Sequence, residues 1–446
     1  MKQSGKQSVY LFCLGILATV LISWPAIGQA VAPVRVPNPA GVSFGPQFRI
    51  SMGDGILHYD LKASEMGETG ASVVGGPGWA SMTTLSGDLS YTTRSASRPF
   101  NLIYSGGYFT SSIPGETSTT YHSVIVSQGV VGRAAGFWAS NIFTYLPTTP
   151  AVGLAGLPGT GDLGLQTGQP STTPAPTPLT KFTTILTDTA MANGNVGLNY
   201  HTVLGGSASW TTMRYLSAAG LDNTNLQTTL GLSRRLNARA TAGVNYAYSD
   251  FRYQSLQSFN FKTQGVNLSL QRQWSRTLSI DVSAGPQWIY GSDTKVVPPE
   301  LNFSVNAGLS YTRGLRSATF RYMRGAMSGM GVLPGAFEDS VQGSLLQSYG
   351  RNWVLALTAT YIRTSGLSAS GSGSASQANA GNIDSAYASM QVTRKLGRDF
   401  SSYLSYTLEH QSLGQPLPAQ NALNGLSQTI GAGVIFSPRS LHLGQL

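Results

Sequence analysis

Residues 301–311 read Leu301-Asn-Phe-Ser-Val-Asn-Ala-Gly-Leu-Ser-Tyr311, and this stretch decides the fold class. Its odd-numbered residues are apolar, whereas its even-numbered residues are small or polar. Because successive side chains of a β-strand point to opposite faces, the stretch predicts a strand with one apolar and one polar face. Similar runs recur from about residue 80 to 437, which is typical of a transmembrane β-barrel with lipid on one face and water on the other.

The composition supports this interpretation. The chain has 446 residues, of which 41% are hydrophobic but only 10% are charged, whereas soluble proteins carry about 25% charged residues. After residue 30 no uninterrupted apolar run approaches the roughly 18 residues of a membrane helix. A soluble β-sandwich is disfavoured because the strands are too many and too alike, and because their polar faces carry too little charge.

The N-terminus has the pattern of a secretory signal. Lys2 and Lys6 precede an apolar core of 15 residues, Tyr10 to Trp24, and Gly28-Gln29-Ala30 offers small residues for cleavage after Ala30. We predict a cleaved signal peptide over residues 1–30, with an uncleaved anchor as the alternative. The only cysteine, Cys13, lies within it, so the mature chain is expected to contain no disulfide.

The alternation divides the rest of the chain into an irregular periplasmic segment (31–54), a barrel (55–437) and a C-terminal tail (438–446). We predict an all-β, transmembrane, antiparallel up-and-down barrel of about 18 strands (range 16–18). The predicted strands are 55–63, 80–93, 99–110, 119–130, 136–146, 190–203, 207–216, 224–235, 238–251, 259–274, 277–291, 300–313, 317–326, 338–349, 352–364, 384–395, 400–411 and 426–437.

Links of two kinds alternate along the chain. Short turns, such as Leu204–Gly206, are predicted on the periplasmic side, and longer links on the outer side. With the last strand ending inward, this parity requires an even number of strands and therefore a first strand at 55–63. The links 147–182 and 366–383 are long and of low complexity. The first could hang outside or fold into the lumen, and the outside position is favoured.

The inward register predicts a wall of hydrogen-bonding side chains that are mostly neutral. Such a lining admits water and can bind hydroxyl groups of solutes, but it forms no ring of a single charge sign. The alternative is that each residue simply keeps the lumen hydrated. The predicted lumen-lining residues are Asp88, Asn193, Asn195, Asn199, His201, Gln227, Asn245, Asp281, Gln287, Arg321, Gln342, Gln391 and Glu409.

Aromatic residues near the short turns are predicted to lie at the membrane interface, where an apolar ring with one polar edge is favoured. The alternative is that these are ordinary aromatic residues of β-strands with no role at an interface. The residues concerned are Tyr91, Trp274, Tyr311, Trp353 and Phe436. Arginines in the same turns either bind lipid phosphates or only keep the turns soluble.

Little in the sequence indicates catalysis or a bound cofactor. The five histidines have no metal-ligand spacing, no cysteine remains after cleavage, and no phosphate-binding loop is present. A barrel lipid hydrolase would need a Ser–His pair on the barrel wall. His122 and His201 are followed by Ser123 and Thr202, but neighbouring strand residues point to opposite faces. We therefore predict no enzyme activity, no metal and no cofactor.

The signal peptide, the alternating strands and the segment Thr429-Ile-Gly-Ala-Gly-Val-Ile-Phe436 together resemble bacterial outer-membrane β-barrel proteins. This resemblance implies an outer-membrane location, contact with lipid, and a last strand that the barrel-assembly machinery recognises through Phe436. Ten residues follow Phe436, which departs from the usual pattern of that class. At the level of overall pattern the chain is also similar to large barrels associated with exopolysaccharide systems.

Three functions follow as hypotheses. The first is a passive channel for polar solutes or saccharides. The second is a non-enzymatic surface or assembly barrel that binds or helps export polysaccharide, and the third is the lipid hydrolase. A nucleic-acid partner is not expected, although the formal charge is +10, because the basic residues stand singly in turns rather than in a patch.

Overall fold

The computed structural model describes residues 51–70, 78–95, 97–112, 118–148, 183–216, 221–328, 333, 335–367, 382–414 and 424–443. The predicted signal peptide and nearly all of the link 147–182 lie outside these residues. Within them, the protein consists almost entirely of β-strands, and no helix is long and apolar enough to cross a membrane.

The described residues form nineteen strands. They are β1 (Ser51–Gly70), β2 (Ala80–Arg94), β3 (Phe100–Ser111), β4 (Thr119–Val131), β5 (Ala135–Thr148), β6 (Thr183–Gly197), β7 (Thr202–Tyr215), β8 (Asn223–Asn237), β9 (Ala240–Tyr253), β10 (Phe261–Gln273), β11 (Leu278–Gly291), β12 (Glu300–Arg313), β13 (Arg316–Met327), β14 (Ala336–Tyr349), β15 (Trp353–Gly366), β16 (Ile383–Lys395), β17 (Phe400–Leu413), β18 (Gly425–Phe436) and β19 (Leu441–Leu443). A 3₁₀ turn, Gln257–Phe259, lies between β9 and β10.

Each of the strands β1 to β18 pairs antiparallel with its neighbours in sequence, and β1 also pairs with β18. The sheet therefore closes on itself as an 18-stranded up-and-down barrel, which confirms the predicted fold class. Closure leaves no long unpaired edge, which is what allows a β-sheet to stand in lipid.

The links between strands alternate strictly in length. Those after β2, β4 and every later even-numbered strand up to β16 have two to five residues, whereas those after the odd-numbered strands have seven or more. In the two-residue turn between β12 and β13, Gly314 has a φ of 58°, a left-handed conformation that glycine adopts without strain. The alternation places all short turns at one end of the barrel and all long links at the other.

The boundary between β6 and β7 was predicted wrongly. The sequence pattern favoured a strand at 190–203 and a turn at Leu204–Gly206, but β6 ends at Gly197 and β7 begins at Thr202. The side-chain oxygen of Asn199 accepts hydrogen bonds from the backbone N–H groups of His201 and Thr202, each at 2.9 Å. This local bonding closes the turn and competes with continuation of the strand.

Replacing Asn199 with alanine should lower the free energy of unfolding by about 1 kcal/mol, because two backbone N–H groups of an exposed turn lose their acceptor. Asn199→Asp keeps an oxygen at that position and should retain most of the stability. Urea titration of the protein folded in detergent micelles measures both variants. Equal stability of Asn199→Ala and the wild type would show that this side chain does not fix the turn.

The two ends of the barrel chain also differ from expectation. Residues 51–54 belong to β1 rather than to an irregular segment. In the predicted tail, Leu441–Leu443 forms β19, which pairs with residues 55–57 of β1, next to the stretch that pairs with β18. A strand of three residues is invisible to a periodicity argument because its partner lies almost 400 positions away in sequence.

The outward face carries an apolar band of exposed side chains. On β10, Lys262 and Arg272 are ten residues apart, with no charged outward residue between them, and Asp384 and Arg394 on β16 are spaced in the same way. At about 3.4 Å per residue and a tilt of about 40°, ten residues rise roughly 25 Å, the height of the apolar band of a transmembrane barrel. Exposed members of the band include Leu85, Val126, Leu230, Val244, Leu268, Leu301 and Leu404.

Candidate functional site

The polar face of the strands is the candidate site, because it points away from the exposed apolar band. On β12, for example, Asn302, Ser304 and Asn306 alternate with the outward Leu301 and Phe303. Strand alternation puts most of the predicted lumen residues on this inner face: Asp88, Asn193, Asn195, Gln227, Asn245, Asp281, Gln287, Arg321, Gln342, Gln391 and Glu409. Asn199 and His201 are exceptions, because they lie in the turn after β6 and on no strand.

The inner-face residues form several local groups rather than one cluster. Asp281, Gly308, Arg321 and Gln342 are successive cross-strand partners and form one row across β11 to β14. Elsewhere, Asn195 Oδ1 accepts a hydrogen bond of 3.0 Å from the backbone N–H of Gly136. This hydrogen bond holds the Asn195 side chain in place along the wall.

A cavity of about 310 Å³ opens on the inner face between β8 and β14. Its volume lies at the lower end of the range of small-molecule sites. Within the wall, Ser304 Oγ donates a hydrogen bond of 2.8 Å to Asn267 Oδ1. The lining residues with polar side chains on the inner face are Gln227, Asn267, Ser283, Ser304, Asn306 and Glu338; Arg324 also borders the cavity, but its guanidinium pairs with Asp339 on the outward face.

Only Gln227 among these lining residues was predicted. Small polar residues such as Ser283 occupy inward positions on nearly every strand, so the sequence pattern does not distinguish those that meet at a cavity. Their grouping depends on which strands are neighbours and on how each pair is registered.

Apolar side chains also point inward near the end of the barrel that carries the long links, which the sequence pattern did not predict. The rings of Phe251 and Phe261 stack with centroids 4.4 Å apart, and both are 1% exposed. Val297, from the link after β11, packs against them, and Tyr253 donates a hydrogen bond of 2.7 Å to the Ser328 carbonyl. A second such cluster contains Met82, Phe109 and Tyr121. Aromatic residues at inward positions of the strand alternation, such as Phe251, were the sequence signal that could have predicted these clusters.

The surroundings of the histidines test the hypothesis of a lipid hydrolase, which needs a Ser–His pair on the barrel wall. The Nδ1 of His122 is 2.9 Å from the Tyr104 hydroxyl on the outward face, so His122 does not face Ser123. No group of three or more His, Cys, Asp or Glu side chains in the described part of the chain is arranged to hold a metal ion.

His58 has a Ser/His/Asp neighbourhood but not the geometry of a triad. Its Nε2 is 3.2 Å from Asp60 Oδ1 and 3.4 Å from Ser437 Oγ, and its Nδ1 is 3.4 Å from Ser440 Oγ. Both serine distances exceed the 2.6–3.2 Å of an activated nucleophile–base pair. Asp60 and Ser437 also approach the same nitrogen of His58, Nε2, whereas a triad needs the acid and the serine on different nitrogens. The arrangement ties the segment after β18 to β1 and does not align a nucleophile.

The predicted interface aromatics all lie near the short-turn end. Trp353 is the first residue of β15, and the Arg394 guanidinium lies 5.1 Å from the centre of its ring. The Arg272 guanidinium likewise lies 4.9 Å from the centre of the Trp274 ring. The other predicted residues are Tyr91 near the end of β2, Tyr311 near the end of β12, and Phe436 as the last residue of β18. Such Arg–Trp pairs place a cation and an indole together where an interface would lie.

Comparisons with known proteins show a likeness of architecture. No family model and no curated protein matches the chain. Among solved structures, OccK2 (OpdF) of Pseudomonas aeruginosa is similar, with a TM-score of 0.44 and 11% identity over 88% of this chain and 99% of that chain. Its complex with glucuronate gives a TM-score of 0.44 and 10% identity over 88% and 100% of the two chains. The outer membrane protein OpdK of the same organism gives 0.41 and 11% over 86% and 99%.

Proposed function

We propose that this chain is an outer-membrane β-barrel that serves as a passive channel for polar solutes, including saccharides. The observation that carries the proposal is the polar inner face, which lines a closed barrel of 18 strands and contains a cavity with amide and hydroxyl groups. Barrels of 16–18 strands have room for an aqueous channel. Neutral hydrogen-bonding groups replace part of the hydration shell of a polar solute without a large electrostatic cost.

The outward face supports the membrane location. Its apolar band has a height of roughly 25 Å between charged rims, which suits a hydrocarbon layer. Lipid is therefore a partner along the whole band. The aromatic Phe436 at the end of β18, whose ring centroid is 4.9 Å from that of Phe400, is the residue through which we infer recognition by the barrel-assembly machinery.

We also infer that the barrel is not an enzyme. A hydrolase needs a serine within reach of a histidine that a third group orients through its other nitrogen. His58, with its two serines at 3.4 Å, does not meet that requirement.

The channel is tested by conductance and solute uptake. The folded wild type should give stepwise conductance in planar bilayers and should admit mono- and disaccharides into liposomes. Ser283→Trp, which places a large side chain in the cavity, should slow disaccharide uptake several-fold, whereas Val282→Trp on the opposite face of the same strand should not. No conductance and no uptake by the wild type would reject the channel.

A second candidate, a surface or assembly barrel that binds polysaccharide, is favoured by the buried apolar cluster around Phe251 and Phe261. These rings, with Val297 from an outer link, fill inward space at the outer end. In that case a binding assay should detect polysaccharide while the wild type conducts little.

A further inference from the structure

The charges of the inner face are mostly negative, although the whole chain has a formal charge of +10. Strand alternation identifies the inward ionisable groups among the side chains that the structure describes; His58, 3.2 Å from Asp60, is inward as well. The acidic ones are Asp60, Glu68, Asp88, Asp281, Glu300, Glu338 and Glu409, and the basic ones are Lys62, Arg235, Arg321 and Lys395. The inner face thus carries seven acidic groups and four basic groups among these side chains.

The carboxylates concentrate on one sector of the wall. Asp60 and Asp88 are direct cross-strand partners on β1 and β2, and both side chains are buried. Glu68 and Glu409 lie diagonally across β18 from each other on the same face. Like charges placed directly opposite each other in a sheet are destabilising. A sector of this kind gains stability when a cation is present beside it.

The acidic groups of this sector outnumber its basic ones, because Lys62 and His58 share it with Asp60, Glu68, Asp88 and Glu409. Arg235 and Lys395 lie at the short-turn ends of their strands. Arg321 belongs to the row that contains Asp281. Within the sector, the Lys62 ammonium lies over the Tyr403 ring, 4.6 Å from the centroid, and His58 Nε2 lies 3.2 Å from Asp60 Oδ1. The potential along β17, β18, β1 and β2 is therefore expected to attract cations.

The cavity supplies an independent observation. Glu338 lines it and is only 3% exposed, and within the described structure its Oε1 accepts no hydrogen bond. A buried carboxylate oxygen without a donor is costly. An ammonium group in the cavity has three donors and a positive charge, so it would stabilise the Glu338 carboxylate, while Gln227 and Asn306 can bind neighbouring hydroxyls. A carboxylate-bearing solute would meet repulsion instead.

We infer that the lumen prefers cationic to anionic solutes, and that the cavity beside Glu338 binds small hydroxylated solutes that carry an amine. The inference deepens the proposed channel function and rests on it for transport, but the binding component can be measured without transport.

Ion selectivity tests the wall as a whole. In a KCl gradient across a planar bilayer, the reversal potential of the wild type should correspond to K⁺ permeating several-fold more readily than Cl⁻. The triple variant Asp60→Asn/Asp88→Asn/Glu338→Gln should lose most of this preference. The matched control Asp188→Asn/Asp384→Asn removes two outward carboxylates, which accept hydrogen bonds from Asn141 and Tyr361, and should leave the ratio unchanged.

Solute binding tests the cavity. Glucosamine should reduce the K⁺ current at lower concentration than glucose does, and glucuronate should have the smallest effect. Glu338→Gln should weaken the glucosamine effect about tenfold, which corresponds to one charge-assisted hydrogen bond, and should leave the glucose effect nearly unchanged. Circular dichroism checks that each variant is folded.

The outcomes separate this inference from the channel proposal. A conducting wild type that prefers Cl⁻, or a triple variant with unchanged selectivity, would overturn the inference and leave the channel intact. If the wild type does not conduct, the channel proposal fails, and calorimetric titration of the micelle-folded protein with glucosamine and glucuronate decides the binding preference. Equal binding of the two solutes would then overturn it.

Discussion

Replacing Val244 with arginine should lower the free energy of unfolding from the membrane by about 2–4 kcal/mol, which is the cost of a cation at the middle of the lipid face of a barrel. Val244 is 48% exposed on the outward face of β9, and its neighbours on that face, Ala242 and Tyr246, have no charge to pair with an arginine. The guanidinium must reach an interface or remain in hydrocarbon.

The adjacent residue provides the matched control. Asn245 is on the same strand but faces inward, so Asn245→Arg adds the same charge to a hydrated surface and should change stability by less than about 1 kcal/mol. Urea titration in lipid vesicles compares the two variants. Similar losses for both would contradict the assignment of the outward face to lipid.

The division of strand residues into outward and inward faces could be predicted from sequence, because it depends only on the alternation of neighbouring residues. The run from Leu301 to Tyr311 corresponds to β12, and its inward and outward residues are those that alternation predicts. Strand count and parity also followed from local signals, since each short turn fixes the direction of the next strand. Errors arose where a local signal was ambiguous. Residues 190–203 alternate as well as a strand does, but Asn199 closes a turn within them.

Features that depend on long-range pairing could not be predicted. β19 has only three residues, and it is defined by its partner β1 at the other end of the chain. The cavity brings together Gln227 on β8 and Glu338 on β14, two strands that are not neighbours in the sheet. The predicted wall residues also did not include the inward acidic residues Asp60, Glu68 and Glu338.

The ladder between β10 and β11 is interrupted beside the cavity. The pairing runs to Gly265 opposite Gln287 and resumes at Leu268 opposite Ala284. Pro286 lies in the gap and has no N–H to donate, and Gly285 lies beside it. A Cβ on Gly285 would be 1.9 Å from the Val266 carbonyl oxygen, so only glycine permits this approach of the two backbones.

Gly285→Ala should therefore lower the free energy of unfolding by about 1–3 kcal/mol, because the new methyl group must push two backbones apart. The shift would also disturb the hydrogen bond from Ser304 to Asn267 on the wall of the cavity. Gly325→Ala is the matched control. Gly325 lines the same cavity, but its Cβ would meet only Gln287 Oε1 at 3.7 Å, an ordinary contact, so the barrel should keep its stability. Urea titration compares the two alanine variants. If both were as stable as the wild type, β10 and β11 would not require glycine at this approach.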